Sequence, residues 1–179
     1  MHYRYRSPVA VGLTLLALLS PASAMADDDK ALSESLFKEG KRLMDAGDYE
    51  RACAAFDGSY AADPSVGAYL NLALCHMKQG KTATAWAEFE AAAVMAAKAG
   101  QEKRAEGAKQ YARELEPNLS RLTISVENPP AGLVVARNGK ALTASSYGSA
   151  VPIDPGDHPI TAEAPGYARL DPAISTGTN

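Results

Sequence analysis

Residues 33–100 repeat one pattern of small and apolar residues twice, and this repetition restricts the possible folds more than any other feature. A shift of 33 residues superposes three pairs: Gly47 and Gly80, Ala52 and Ala85, Phe56 and Phe89. A period of roughly 35 residues, in which a glycine separates two helical patterns, is typical of stacked helix–turn–helix units. The sequence therefore predicts an α-helical repeat stack in this part of the chain.

Both copies resemble the tetratricopeptide repeat. The first copy carries Leu36, Gly40, Leu43, Gly47, Tyr49, Ala52, Phe56 and Pro64, and the second carries Tyr69, Leu72, Ala73, Gly80, Ala85, Phe89 and Ala92. The second copy departs from the family at Ala73, where a glycine is usual, and no proline follows its second helix. The resemblance implies a scaffold for binding and does not identify the ligand.

Turn and stop residues divide the helical part into five segments. They predict helices over about residues 32–46, 49–62, 66–79, 81–99 and 101–116. Gly47 and Gly80 supply the left-handed residue that ends a helix, and Pro64 cannot continue the helical ladder. The fifth segment has apolar residues along one side only, at Ala105, Ala108, Ala112 and Leu115. We expect this helix to cap the open end of the stack.

Residues 1–26 have the features of a secretory signal peptide. Arg4 and Arg6 precede an apolar run over residues 9–19, and small residues follow at Ala24 and Ala26. The run of about eleven residues is too short to span a bilayer as a stable helix, and the alternative is an uncleaved membrane anchor. We expect export to the periplasm or cell surface, with a charged, solvated leader over residues 27–32.

In such an oxidising compartment, two cysteines can form a stable disulfide. Cys53 lies on the second predicted helix and Cys75 on the third, and these helices are neighbours in a repeat stack. A disulfide between them is geometrically possible, and the alternative is two buried small hydrophobic residues. Structural zinc needs four protein ligands, and these cysteines have only His76 beside them. We expect no metal site and no cofactor.

After Pro117 the apolar residues change from helical spacing to strict alternation. Leu122, Ile124 and Val126 alternate with polar residues, as in a half-buried strand. Further short apolar segments lie at about residues 133–137, 150–153, 160–164 and 168–175. Short strands separated by frequent turn signals predict a small β-sandwich.

Several turn signals separate these strands. Asn138-Gly139 is typical of a two-residue hairpin turn. Pro159 interrupts the strand after His158, which places this position at a sheet edge. We expect the side chain of His158 at the surface.

The order of strands and turns resembles a PEGA-type domain, a surface-associated bacterial β-module. The matching positions are Pro130, Gly132, Val134, Asn138-Gly139, Pro155-Gly156 and Pro165-Gly166-Tyr167, with Pro129-Pro130-Ala131-Gly132 in place of the eponymous tetrapeptide. With the signal and the repeats, this order resembles secreted proteins of Gram-negative bacteria. The predicted class is α + β and multidomain: a helical repeat domain with a capping helix over 33–116, a linker over 117–121, and a PEGA-like β-sandwich over 122–179.

The sequence contains no recognisable arrangement of catalytic residues. It has no serine in a nucleophile elbow, no glycine-rich phosphate loop after a strand and no His-Glu metal-binding helix. Glu88 and Glu90 are two residues apart on a helix and point in different directions. The formal charge of −3, without a basic cluster, argues against nucleic-acid binding. We expect no enzyme activity.

A peptide-binding groove is predicted on the first helix of each repeat, because these helices line the concave side of a repeat stack. With Leu36, Leu43 and Leu72 turned inward, the groove residues are Phe37, Lys41, Met44, Leu70, Asn71, Leu74, Met77 and Lys78. They form an apolar strip edged by two lysines and an asparagine, which suits an extended or helical peptide. The alternative is that much of the strip is core, covered by the fifth helix or the β-module. Trp86 is expected in the core.

The sequence favours a non-enzymatic adaptor of the periplasm or envelope that binds a protein or peptide partner through this groove. The alternative hypothesis is a cell-wall or carbohydrate-binding structural protein that acts through the PEGA-like domain. Under both hypotheses a cell-envelope component is a possible partner. Neither hypothesis includes a nucleic acid, or a membrane span after cleavage of the signal.

Overall fold

A computed structural model describes residues 22–171 and 173–176 of the 179-residue chain. Within these residues, five α-helices precede six short strands, so the chain is α plus β. Residues 1–21, which carry most of the predicted signal peptide, lie outside the described part. No helix within the described residues is long and apolar enough to cross a membrane.

The helices pack in chain order, each against the next. They are α1 (Ala22–Asp45), α2 (Tyr49–Ala62), α3 (Val66–Lys78), α4 (Thr82–Lys98) and α5 (Glu102–Leu115). The predicted bounds of α2 to α5 agree with these to within one residue. This is the helical stack that the repeat pattern predicts.

Helix α1 begins ten residues earlier than predicted. The charged residues 27–32, expected as a leader outside the helix, form part of α1, and their side chains are exposed. No glycine or proline occurs between residues 22 and 39, so nothing local stops the helix from extending.

The turns inside each repeat have the same geometry. Gly47 and Gly80 have φ angles of 75° and 76°, in the left-handed region that glycine enters at no steric cost. After each glycine, the next amide donates to a carbonyl five residues back: Asp48 to Leu43 and Lys81 to His76, both at 3.0 Å. Each bond satisfies a carbonyl at the end of its helix. The predicted helix stops at both glycines are confirmed.

Three clusters of buried apolar residues hold the stack together: two hydrophobic cores and a smaller cluster of Val66, Ala96 and Ala105. The first core joins α1, α2 and α3 through Leu43, Ala52, Cys53, Ala55, Phe56, Leu72 and Cys75. The second core joins α3, α4 and α5 through Ala73, Ala85, Phe89, Ala92, Ala93, Ala108 and Ala112. Phe56 and Phe89 are fully buried. The two phenylalanines that define the repeat therefore occupy equivalent places, one in each core.

Helix α5 covers the second core, as predicted for a capping helix. Its residues Ala105, Ala108 and Ala112 are buried, and Leu115 is half-buried. The ring of Tyr111 stacks on Phe89 with a centroid distance of 4.8 Å. Small residues on α5 allow its backbone to approach α4 closely.

The structure joins Cys53 of α2 to Cys75 of α3 in a disulfide. Their Cα atoms are 5.5 Å apart, and both residues are buried in the first core. The bond therefore links the second helix of one repeat to the first helix of the next.

The C-terminal strands form two small antiparallel sheets, which we call the β-unit together with their connections. In one sheet, β1 (Ser120–Thr123) pairs with β4 (Ala150–Ile153). The other sheet has the order β3 (Lys140–Ala141), β2 (Val134–Arg137), β5 (Gly156–Glu163) and β6 (Ala173–Thr176). Short 3₁₀ helices at Glu116–Asn118 and Ala144–Ser146 complete the described elements. The strand β1 starts at Ser120, inside the predicted linker.

Two local predictions for the β-unit are confirmed. Leu122, Ile124 and Val126 are half-buried and alternate with exposed residues, although the hydrogen-bonded part of β1 ends at Thr123. The loop between β2 and β3 is the predicted hairpin turn. Its two central residues, Asn138 and Gly139, both have positive φ angles, 51° and 76°.

The predicted sheet edge at Pro159 is wrong, because β5 continues through this residue and lies inside its sheet. The strand changes neighbours at this point: residues 156–159 pair with β6 and residues 160–163 pair with β2. The missing amide hydrogen of Pro159 falls at the changeover, and its carbonyl accepts from the amide of Asn138 at 2.9 Å. His158, predicted at the surface, is buried with 7% of its area exposed.

Candidate binding surfaces

Three of the predicted groove residues lie on one face of α1. Phe37, Lys41 and Met44 are spaced i, i+4 and i+7, which places them in one row along the helix. Phe37 and Met44 are half-buried against the first core, and the ring of Phe37 meets that of Phe56 edge-on at 5.7 Å. Lys41 is exposed.

The other five groove residues lie on α3. Leu70, Leu74 and Met77 have the same spacing as the α1 row, exactly one repeat later, and all three are half-buried against the second core. The side-chain amide of Asn71 donates to the carbonyl of Gly67 at 2.8 Å, so it is partly satisfied within its own helix. Lys78 is exposed.

The structure therefore divides the apolar groove residues between two adjacent cores. Tyr69 packs against both cores and connects them. Of the eight residues, Phe37 lines a crevice of about 270 Å³ between α1 and the turn from α2 to α3. The sequence analysis named α5 and the β-unit as elements that would cover the groove residues. In the structure, both pack chiefly against α4. We call the exposed sides of these eight residues the α1–α3 strip.

A polar pair joins α3 to α4 beside the second core. The Nδ1 atom of His76 lies 2.8 Å from a carboxylate oxygen of Glu88, and both side chains are mostly buried. Burial raises the pKa of the nearby Tyr69 hydroxyl, and the negative charge of Glu88 raises it further. Glu90 is exposed, so it does not share the environment of Glu88. The pair fastens two helices together.

A second surface, which the sequence analysis did not predict, lies where the β-unit meets α4. The carboxylate of Asp154, in the turn between β4 and β5, accepts two hydrogen bonds from Thr84. The Thr84 amide donates at 2.9 Å and its hydroxyl at 2.5 Å. These bonds join residues 70 positions apart in the chain.

A buried histidine supports the turn that carries Asp154. Because a carbonyl only accepts, Nε2 of His158 donates to the Asp154 carbonyl, at 2.7 Å. Its Nδ1 then accepts from the side-chain amide of Asn138, at 3.3 Å. The imidazole thus links the β2–β3 hairpin to the β4–β5 turn, which explains its burial.

A cleft of about 480 Å³ lies beside this contact, between α4 and the β-unit. Its lining residues include Trp86, Arg137, Asn138, Asp154 and His158. Trp86, expected in the core, is half-buried: it packs against the second core and also lines the cleft. We call this space the junction cleft.

The described residues contain no group of three or more His, Cys, Asp or Glu side chains that could hold a metal ion. Comparison with known proteins gives no assignment: no protein-family model, curated protein or solved structure matches the chain significantly.

Proposed function

We propose that this chain is a non-enzymatic adaptor of the bacterial envelope whose helical repeats bind a protein or peptide partner. The observation that carries the proposal is the α1–α3 strip, in which two equivalent helices present the same spacing of half-exposed side chains. A row of such side chains along a helix is suited to receive the apolar face of a peptide.

Lysines within and beside the strip favour acidic groups on the partner, and Glu34, exposed on the same helix, favours a basic group next to them. Lys41 and Lys78 are exposed within it, and Lys38 is exposed one turn from Lys41. A peptide with apolar anchors flanked by Asp or Glu would bury its anchors and pair its carboxylates with these ammonium groups. Such pairs at an exposed rim contribute more to specificity and association rate than to affinity.

We assign the helical unit to the tetratricopeptide type and the β-unit to a PEGA-like sandwich. The close approach of Gly40 to Phe56 and the burial of Ala73 with Phe89 support the first assignment. An apolar cavity of about 50 Å³, lined from one sheet by Leu122 and Val151 and from the other by Arg137, supports the second.

An envelope location fits the N-terminal sequence and the disulfide. The signal-like N-terminus provides export, and the disulfide between Cys53 and Cys75 would persist in an oxidising compartment. The location is tested by fractionating cells that express the full chain and by trapping free thiols before lysis.

Charge reversal in the strip tests the proposed function. Lys41→Glu with Lys78→Glu changes two exposed residues and should leave the fold intact, whereas Met77→Asp also disturbs the second core. The matched control is Lys98→Glu with Lys109→Glu, which reverses two exposed charges outside the strip. We expect pull-downs from envelope extract to lose a specific partner with the strip variants and to keep it with the control. Identical partner lists for all variants would contradict the groove assignment.

A second function, binding of cell wall or carbohydrate by the β-unit, is favoured by one exposed aromatic residue. Tyr167 is 69% exposed and lines an open cleft with Arg169 and Glu163. An aromatic ring beside polar groups can stack on a sugar. Sedimentation of the intact chain with purified cell wall, compared with Tyr167→Ala, separates the two functions. Loss of sedimentation only in this variant would favour the β-unit.

A further inference from the structure

Helix α4 begins without a cap of its own. The first amides of a helix have no partner within it and favour a side-chain oxygen and a negative charge. Lys81 occupies the N-cap position of α4, makes no capping hydrogen bond, and is followed by no acidic residue in the first turn. Both its charge and its lack of an acceptor are unfavourable at this place.

The first repeat has the N-terminal cap that α4 lacks. A shift of 33 residues places Lys81 on Asp48 and Thr84 on Arg51. In α2, Asp48 is the N-cap, and one of its carboxylate oxygens accepts from the amide of Arg51 at 3.2 Å. Helix α2 is thus capped by its own residue.

In α4 the equivalent amide is also bound to an aspartate, but this aspartate comes from the β-unit. Asp154 accepts from the amide of Thr84, the third residue of the helix, just as Asp48 does from Arg51. The second oxygen of each carboxylate is bonded too: Asp154 to the Thr84 hydroxyl and Asp48 to the Arg51 guanidinium. Asp154 therefore performs at α4 the role that Asp48 performs at α2.

We propose that Asp154 is a latch that holds the β-unit on the repeat unit by capping α4 from outside. The latch requires Lys81, because an acceptor at that position would satisfy the Thr84 amide within the helix. His158 holds the turn that presents the carboxylate. Because the junction cleft lies between the same two elements that this contact joins, loss of the contact should open the cleft. The proposal is independent of the adaptor function.

The single tryptophan of the chain lies in the junction cleft, so its fluorescence reports the latch directly. We expect Asp154→Ala to shift the Trp86 emission to longer wavelength and to increase quenching by acrylamide. Thr84→Val removes only the hydroxyl bond and should give a smaller increase. The matched control is Asp48→Ala, which removes the equivalent cap from α2 and should leave Trp86 unchanged.

A second variant keeps the test decisive if Asp154→Ala destabilises the fold. Lys81→Asp gives α4 its own cap and repels the Asp154 carboxylate, so we expect helicity to be kept while Trp86 becomes more accessible. Small-angle scattering should show a larger radius of gyration for this variant. Adding Asp154→Ala to Lys81→Asp should then cause no further change. If Lys81→Asp leaves both quenching and radius at the wild-type values, the latch is wrong.

Discussion

The two repeats share a pattern of buried residues but differ in which segments cover their cores and cap their helices. The first repeat supplies its own helix cap, because Asp48 caps its second helix, and Gly40 admits the ring of Phe56; α3 of the next repeat closes its core. The second depends on other segments, because Tyr111 of α5 covers Phe89 and Asp154 caps α4. The difference shows that the repeat residues specify packing between neighbouring helices. The cover and the helix cap of the last repeat come from the segments that follow it.

The polar contacts of the repeats differ in the same way. In the first repeat, Ser33 and Ser59 are buried and exchange hydrogen bonds, each hydroxyl donating to the other's carbonyl, at 2.8 and 2.9 Å. One repeat later these positions are Val66 and Ala92, which are buried and apolar. The same two repeat positions therefore hold a hydrogen-bonded polar pair in one repeat and two buried apolar residues in the other.

Removal of the central ring should have the largest effect in either repeat. Phe56→Ala and Phe89→Ala each delete a fully buried side chain, which typically costs about 3–5 kcal/mol of unfolding free energy. Urea denaturation followed by circular dichroism measures both. A loss below 1 kcal/mol for only one of them would break the equivalence of the cores.

Removal of the disulfide should have the next largest effect. The bond closes a loop with a sequence separation of 22 residues, for which chain entropy predicts about 3 kcal/mol. We expect Cys53→Ala with Cys75→Ala to unfold at lower urea concentration, and addition of reductant should not change this double variant further. Equal midpoints for the oxidised wild type and the double variant would contradict the prediction.

Substitution of Gly40 and of Ala73 tests how closely the helices approach each other in each repeat. A Cβ at Gly40 would lie 2.8 Å from the ring of Phe56, so Gly40→Ala forces the core to shift at a cost of about 1–3 kcal/mol. The second repeat already has Ala73 here. Ala73→Gly should cost about 1–2 kcal/mol, through lower helix propensity and the loss of a buried methyl group. Thermal melts of both variants decide whether the first core is the tighter one.

The serine pair offers a smaller and more selective change. Ser59→Ala removes the hydroxyl that donates to the Ser33 carbonyl and contacts the Ser33 hydroxyl, at a cost of about 1 kcal/mol. Ser33→Val with Ser59→Ala copies the second repeat and should be nearly neutral. A double variant less stable than the single variant would show that the repeats are not interchangeable at this place.

The smallest expected effect is on the pH dependence of stability. The pKa of Tyr69 is raised by burial and then by Glu88, so the folded state holds this proton more tightly than the unfolded state. Its contribution is complete below the unfolded pKa of about 10 and is lost as pH rises through the folded pKa. The first repeat has Leu36 here, which does not titrate. We expect Tyr69→Phe to resist alkaline unfolding better than the wild type, as measured by urea midpoints at pH 8 and pH 11.

The sequence predicts the helical half well because its signals are local. Gly47, Gly80 and Pro64 end helices through their own backbone geometry, and the buried alanines of α5 follow from periodicity. The start of α1 was predicted wrongly because no glycine or proline lies between Ala22 and the predicted start near residue 32. The groove on α1 and α3 stays a prediction, since no bound partner tests it.

In the β-unit, local sequence signals predict turns but not the contacts between segments that are distant in the chain. The hairpin at Asn138 was predicted from two residues, but the burial of His158 depends on a carbonyl and an amide from separate turns. The role of Asp154 depends on a helix 70 residues away. The only sequence sign of that contact is Lys81 at the position where the first repeat has Asp48.

The disulfide also limits how far the molecule can be stretched. Force applied at the two ends of the chain passes through the sulfur atoms and bypasses the 22-residue separation between Cys53 and Cys75. At about 3.4 Å per residue, the fully extended oxidised chain is about 70 Å shorter than the reduced one. Single-molecule pulling would show this as a missing step in extension, and the turn between the two repeats would carry no tension.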